Sequence, residues 1–433
     1  MAMTDFGIVR RSLLSGGRWF ATATTVLTVG VAVGLLLVLI ALRSAGEQAF
    51  ARGTGNMHLL VSKDSSPLNS VLNAVFYMGT PARADNISKF DAIRKDGRVA
   101  WAIPVLQSDS FHGHPTLSTT TEFFSLFQPA AGTSWSFVQG GPFKETFDVV
   151  LGSRVAAETR LKVGDELHIT HGKPNEAAGE HGHEHEGVHF KVSGVLAPTA
   201  TAHDNAVFTT LESAWLIHAD ENREAAAKAA RTAVVEPTVE NLRPDEKPIT
   251  GLYVRVKGRD DSNTPATLPQ IYEELRKDGT ITVAQPGQQV TSLFKVVAGI
   301  DRIIFALAAA VLFSTAITIM LVLYQAMELR RRQVAVLRVL GASRERVFML
   351  ALTEAAVIGV AASLLGVALA FVGSYVVAAG IHAQLGLTVT PSLDARWLVS
   401  IGAGTVLLAC VAGLVPAATA YRTDVLRNLR PIG

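Results

Sequence analysis

The chain has 433 residues, 49% hydrophobic and 18% charged, with a mean hydropathy of +0.30. It is too apolar for a single soluble domain and too polar in its middle to be membrane throughout. The net charge of +2 gives no global field pointing to nucleic acid, and one cysteine, Cys410, excludes a disulfide framework or a cysteine metal site.

The first apolar run, Phe20 to Leu42, follows Arg10, Arg11 and Arg18 and contains no Asp, Glu, Lys or Arg. At ~1.5 Å per residue it exceeds the ~30 Å hydrocarbon core. It is about twice as long as a signal-peptide core and lacks an A-x-A-type end, so it reads as an uncleaved anchor. Residues 1–43 therefore form a short leading segment and a first transmembrane helix. Its Gly30-x-x-x-Gly34 pattern permits close helix approach and is expected at a seam between two copies, with packing inside the chain as the alternative.

Residues 44–290 carry mixed charge and read as a water-exposed α+β domain. Short β-type runs (MHLLVS, FDVVLG, DELHIT, FKVSGVL, GLYVRVKG) are set between helical patterns (SRVAAETR, LESAWLIH, LPQIYEELRKD). Between two of the strand-like runs lies a His-rich loop, residues 171–189, with Gly172, Pro174, Gly179, Gly182 and Gly187 interrupting it. Its last part, HEGVH, matches the zinc-protease pattern H-E-x-x-H, but that chemistry needs both histidines on one regular helix. Gly187 inside the motif and a strand directly after it argue against such a helix. His181, His183, His185 and His189, with glutamates between them, suit Zn²⁺, Cu²⁺ or Ni²⁺ bound without catalysis. A solvated loop with incidental affinity explains the composition equally well. His112, His114 and His203 are further histidines that could join from elsewhere in the domain. Residues 219–248, rich in Ala, Glu and Arg and ending in prolines, read as an insertion with a helical start and an exposed, mobile tail.

Residues 291–327 read as a helical stalk running into the second transmembrane helix, Ile303 to Met327. The segment 328–346 is the most specific signal. MELRRRQVAVLRVLGASRERV places Val334, Val336, Leu337 and Leu340 at near-helical spacing, then breaks at Gly341-Ala342-Ser343. Ser343 is placed to cap the following helix, which makes a structured corner. The positive-inside tendency alone accounts for Arg330, Arg331 and Arg332. It does not account for the ordered sequence of Glu328, the arginine triplet, the apolar stripe and the G-A-S corner, which suits docking into a partner groove.

Residues 347–381 contain the third span, Ala355 to Ile381. A short loop, 382–396, leads to the fourth, Trp397 to Tyr421, and the tail closes the 397–433 segment. Gly359, Gly366 and Gly373 recur every seven residues in the third span. Glu354 is the one ionisable residue near a span and is read as pairing with a linker arginine or snorkelling. With four spans the arginine-rich leading segment, linker and tail fall on one side, so both termini are expected in the cytoplasm. No G-x-x-x-x-G-K-[ST] occurs, so this chain does not cradle nucleotide phosphates itself.

The segment ELRRRQVAVLRVLGASRERV closely resembles the cytoplasmic coupling segment of MacB/FtsX-like permeases of type VII (mechanotransmission) ABC transporters. The resemblance extends to LGSRVAAETRLKVGDELHI at 151–169, to the order of one span, an outer domain and three spans, and to the tail. There Pro416, Ala417, Ala420, Arg422, Asp424, Leu429 and Arg430 fit the family pattern, while Val425 replaces its proline. The resemblance implies a non-catalytic inner-membrane permease that pairs with a second copy and two ABC ATPase subunits, with ATP-Mg bound on the partner. Glu328, Arg330, Arg331, Arg332, Val336, Leu337, Leu340, Gly341 and Ser343 would form the ATPase-coupling segment. The expected fold is four transmembrane α-helices with a large α+β periplasmic domain between the first and second. No cofactor is expected on this chain beyond possible Zn²⁺, and a periplasmic adaptor or lipoprotein is a further expected partner. Cargo stays open, because one architecture in this family serves several. A membrane-anchored zinc enzyme or a metal-sensing receptor using the His-rich loop is the alternative reading.

Overall fold

The computed structural model describes residues 18–82, 85–171, 188–230, 233–258, 265–329, 331–339, 341–385 and 393–421. They build two compact units, an α/β unit based on residues 46–296 and a helical unit based on the long helices on either side in sequence.

The helical unit contains four helices long and apolar enough to cross a membrane. They lie in Arg18–Gly53, Pro286–Leu329, Arg344–Leu385 and Ala395–Tyr421. The first two continue well beyond their apolar spans and carry the helix across the boundary between units. Hydroxyls inside the spans turn back on the helix: Thr25, Thr315 and Thr405 donate to the carbonyls of Ala21, Val311 and Ile401. Such bonds hide the hydroxyls where lipid offers no partner.

The helices pack through Val29, Val33 and Leu37 of the first, Ile319 and Leu323 of the second, Ala355, Ile358 and Ala362 of the third, and Ala409 of the fourth. The glycines belong to this packing, so the Gly30-x-x-x-Gly34 face meets a helix of the same chain, the alternative to a seam between copies. A Cβ at Gly30 would stand 2.8 Å from Leu365, and one at Gly366 would stand 2.6 Å from Val33. The small-residue face is thus already used inside the chain. Glu354 is 4% exposed, so it is buried among these helices and does not snorkel.

In the α/β unit the strands are β1 (Leu59–Ser62), β2 (Asp85–Asn86), β3 (Val99–Phe111), β4 (His114–Thr119) and β5 (Phe137–Gly140). They continue with β6 (Asp148–Leu151), β7 (Glu166–Leu167), β8 (Thr170–His171), β9 (Phe190–Leu196) and β10 (Val207–Thr210). The last are β11 (Pro248–Ile249), β12 (Gly251–Val256) and β13 (Thr282–Ala284). The large sheet runs β13-β1-β12-β3-β4-β10-β6-β9-β5, with β7 on β9 and β8 on β3, and β2 pairs with β11 separately. It is antiparallel from β13 to β4, whereas β4–β10 and β6–β9 are parallel.

Two apolar clusters flank this sheet. One gathers Leu59, Val61, Leu106, Leu252, Val254 and Ile271; the other gathers Val149, Leu151, Val155, Phe190, Val192 and Val207. The helix Leu211–Ala230 serves both, with Leu211 and Trp215 in the first and Ile217 in the second.

The described segment after that helix, 233–246, is largely exposed, as its composition suggests, but it is tied back to the helix. Arg223 Nε and Nη2 donate to both carboxylate oxygens of Glu246, at 2.9 and 2.7 Å. Its other bonds reach the Val235 carbonyl and the side chain and carbonyl of Asn241. One guanidinium therefore ties the returning chain to the helix, a fork geometry that suits arginine.

Candidate functional site

The corner between the second and third long helices is built from a short amphipathic helix, Arg331–Val339, and a capped turn. Val334 (7% exposed) packs with Val347 (4%) and with Met327 at the end of the second long helix, and Ala335 is fully buried. These contacts fix the short helix against its neighbours. Val336 and Val339 emerge on another side, 43% and 63% exposed.

Gly341 then reverses the chain at φ +100, and its amide donates to the Arg338 carbonyl. Left-handed backbone of this kind favours glycine at a helix C-terminus. Ser343 starts the next helix: its Oγ accepts the Arg346 amide at 3.2 Å, an N-cap bond. Glu345 lies in that helix's first turn, where the helix dipole favours an acid. The Arg344 guanidinium lies 5.9 Å from the Tyr421 ring centre, which links the corner to the end of the fourth helix.

Of the residues expected to couple to an ATPase, Gly341 and Ser343 form the turn and Val336 is exposed beside it. Glu328 lies in the last turn of the second long helix, half-buried. Arg330 and Leu340, and the side chains of Arg331, Arg332 and Leu337, lie outside the described residues. Val339 was missed by the sequence pattern, although its i+3 spacing from Val336 places both on one helical face.

The expected metal ligands His181, His183 and His185 lie outside the described residues. His189 is described, and neither it nor Val188 is helical; they lead directly into β9. H-E-x-x-H chemistry requires a helix through its second histidine, so this location opposes the protease reading. The three further histidines named from the sequence have other partners or places. His203 is buried with its Nδ1 2.7 Å from Tyr77 Oη. His114 contacts Asn205 and Glu158, and His112 forms a two-residue β3–β4 turn with Gly113. Among the described residues no group of three or more His, Cys, Asp or Glu side chains is arranged to hold a metal ion.

A model of the MacB-like periplasmic core domain matches residues 22–299, and a model of the FtsX-like permease C-terminal region matches residues 305–425. No curated protein matches. Among solved structures, the periplasmic region of MacB from Actinobacillus actinomycetemcomitans aligns with TM-score 0.32 and 12% identity, covering 56% of this chain and 94% of that one. The extracellular domain of the noncanonic ABC-type transporter YknZ from Gram-positive bacteria aligns with TM-score 0.27 and 8% identity, covering 52% and 98% respectively. Family membership rests on the two family models, which follow one another along the chain and of which the first spans more than half of it. The chain belongs to the MacB/FtsX-like permeases of ABC transporters, as a multi-pass inner-membrane protein with a periplasmic domain.

Proposed function

We propose that this permease is the non-catalytic subunit that couples hydrolysis by a separate ABC ATPase to movement of its periplasmic domain. In this reading two permease copies pair with two ATPase subunits, which bind ATP-Mg. The arginine-rich corner and both termini face the cytoplasm, and the corner rests in a groove of the ATPase. The resulting motion serves export, extraction or signalling, and a periplasmic adaptor or lipoprotein is a natural further partner.

The observation that carries the reading is the capped corner itself. It spends Val334, Ala335 and Val347 on its own packing while presenting Val336 and Val339 outward. Apolar side chains on a fixed, short helix suit insertion into a protein groove, and the order of the corner means little entropy is lost on docking.

The test is copurification of the tagged chain with a partner identified by azido-ATP photolabelling. Val336→Asp combined with Val339→Asp should lower the copurifying ATPase at least tenfold while the permease stays folded, because both side chains are exposed. Undiminished copurification would remove the corner from the interface.

A further inference from the structure

The described residues at the return of the His-rich loop carry a feature that the transport reading does not use. β7 and β9 are antiparallel with Glu166 opposite Lys191 and Leu167 opposite Phe190. Continuing that register by one residue sets His168 opposite His189. Leu167 and Phe190 point into the core, 3% and 1% exposed. Successive side chains alternate across a strand, so Glu166, His168 and His189 share the outer face.

The contacts agree with that placement. The His168 and His189 rings lie 4.6 Å apart between centres, at 62° to one another. His189 Nδ1 stands 3.4 Å from Glu166 Oε2, and both side chains are more than half exposed. Two imidazoles bound to one tetrahedral zinc ion have ligating nitrogens about 3.4 Å apart, as Zn–N distances of ~2.0–2.1 Å require.

We propose that His168, His189 and Glu166 form a surface site for a borderline divalent transition metal of the Zn²⁺ class, with water completing the shell. As placed, these three side chains are not arranged to hold an ion, nor is any other group of three or more His, Cys, Asp or Glu among the described residues, so binding requires them to change rotamer. Their exposure lets side-chain rotation alone bring them together, while the paired backbones hold the two histidines in reach. Imidazole and carboxylate ligands favour Zn²⁺ and Cu²⁺ over Ca²⁺ or Mg²⁺, which take oxygen shells. Lys191, on the same face, works against the cation, so the site is expected to be weaker than a structural zinc centre. The site is composed of described residues alone and does not depend on the coupling reading.

The experiment uses the full chain in lipid nanodiscs, stripped with chelator, and titrates ZnCl₂ by calorimetry, with Cu²⁺ electron paramagnetic resonance reporting nitrogen ligands. His168→Ala and His189→Ala should each weaken Zn²⁺ binding at least tenfold and remove a nitrogen from the Cu²⁺ spectrum. Far-ultraviolet circular dichroism should stay unchanged, since both residues are on the surface. A variant with His181, His183 and His185 all changed to Ala should keep that two-nitrogen site. The proposal fails if His168→Ala and His189→Ala bind Zn²⁺ as the wild type does, or if the triple variant alone abolishes binding.

Discussion

His203 is enclosed by Phe123, Phe127, Trp135 and Phe208, with ring centres 5.6 to 6.3 Å from its own. Burial pushes its pKa down to about 3. At His58, burial and then the nearby Arg255 charge lower it to about 4, and its Nδ1 accepts the Val256 amide, as a neutral ring does. Both histidines are neutral when folded, whereas an unfolded histidine gains its proton near pH 6.5. Below pH 6.5 the unfolded chain therefore binds more protons, so stability falls with acidification until the folded pKa is reached. Each histidine contributes at most about 1.4 kcal/mol per pH unit. Carboxylates held low by partners, such as Glu246 and Asp85, begin to add their loss as pH approaches their unfolded values of about 4 to 4.5, so the interval from pH 6.5 to about 5.5 is the one dominated by the histidines. The melting temperature of the periplasmic domain within the full chain should fall across that interval. His203→Gln should flatten the fall even though it lowers the starting value. An unchanged slope in that variant would assign the effect to other groups.

At the scale of elements, the Arg223 hub makes a measurable claim about residues 233–246. Hydrogen bonding to Arg223, reinforced by Arg243, holds the Glu246 carboxyl well below the usual carboxylate range, so the clamp is charged throughout the physiological range. Arg223→Ala should speed amide hydrogen exchange over residues 233–243 at least tenfold and leave the core strands β1 and β12 unaffected; unchanged exchange would mean the segment is held by something else. Composition concealed this clamp, since an Ala-, Glu- and Arg-rich stretch signals exposure, while the decisive pairing joins residues 23 apart. Other elements were plainly legible. The four apolar runs, β1, β6, β9 and β12, and the helices Ser153–Thr159 and Leu268–Arg276 fall on the runs that periodicity picked out. The run DELHIT reads as one strand but contributes to two, because β7 pairs with β9 and β8 with β3. β3 and β4 do not stand out as strands in the sequence: Pro104 and the polar Gln107 to Ser110 interrupt the first, and Thr and Ser dilute the second. The Gly341 and Ser343 corner was visible from local chemistry, since a left-handed turn and an N-cap each involve few residues. The partner of Gly30 and Gly34 was not, because a glycine face states that something approaches closely without stating what.

On the scale of the whole molecule, force from the corner would have to travel through continuous backbone. The helix Pro286–Leu329 is unbroken across the boundary between the two units, and Arg18–Gly53 likewise spans it. At their domain-side ends, Phe50 contacts Phe294 and Phe76, with ring centres 5.8 and 4.7 Å apart, so the two helix ends are joined by aromatic packing within the α/β unit. A hydrogen-bonded helix transmits axial and torsional displacement better than a loop, because bending it breaks bonds in its ladder. Lys295 offers a clean place to interrupt this path, since it is helical yet its side chain is exposed. Proline there removes an amide donor and clashes with the preceding turn, at a cost of about 3 kcal/mol or more. Lys295→Ala removes the same side chain but keeps the helix. Spin labels on the periplasmic domains of the paired copies should report a distance change between nucleotide-free and ATP-bound complexes in the wild type and in Lys295→Ala. In Lys295→Pro the ATPase should still copurify, because the corner is intact, while the nucleotide-dependent distance change is lost. If Lys295→Pro retains the full change, motion reaches the domain without this helix, and the first long helix becomes the element to interrupt next.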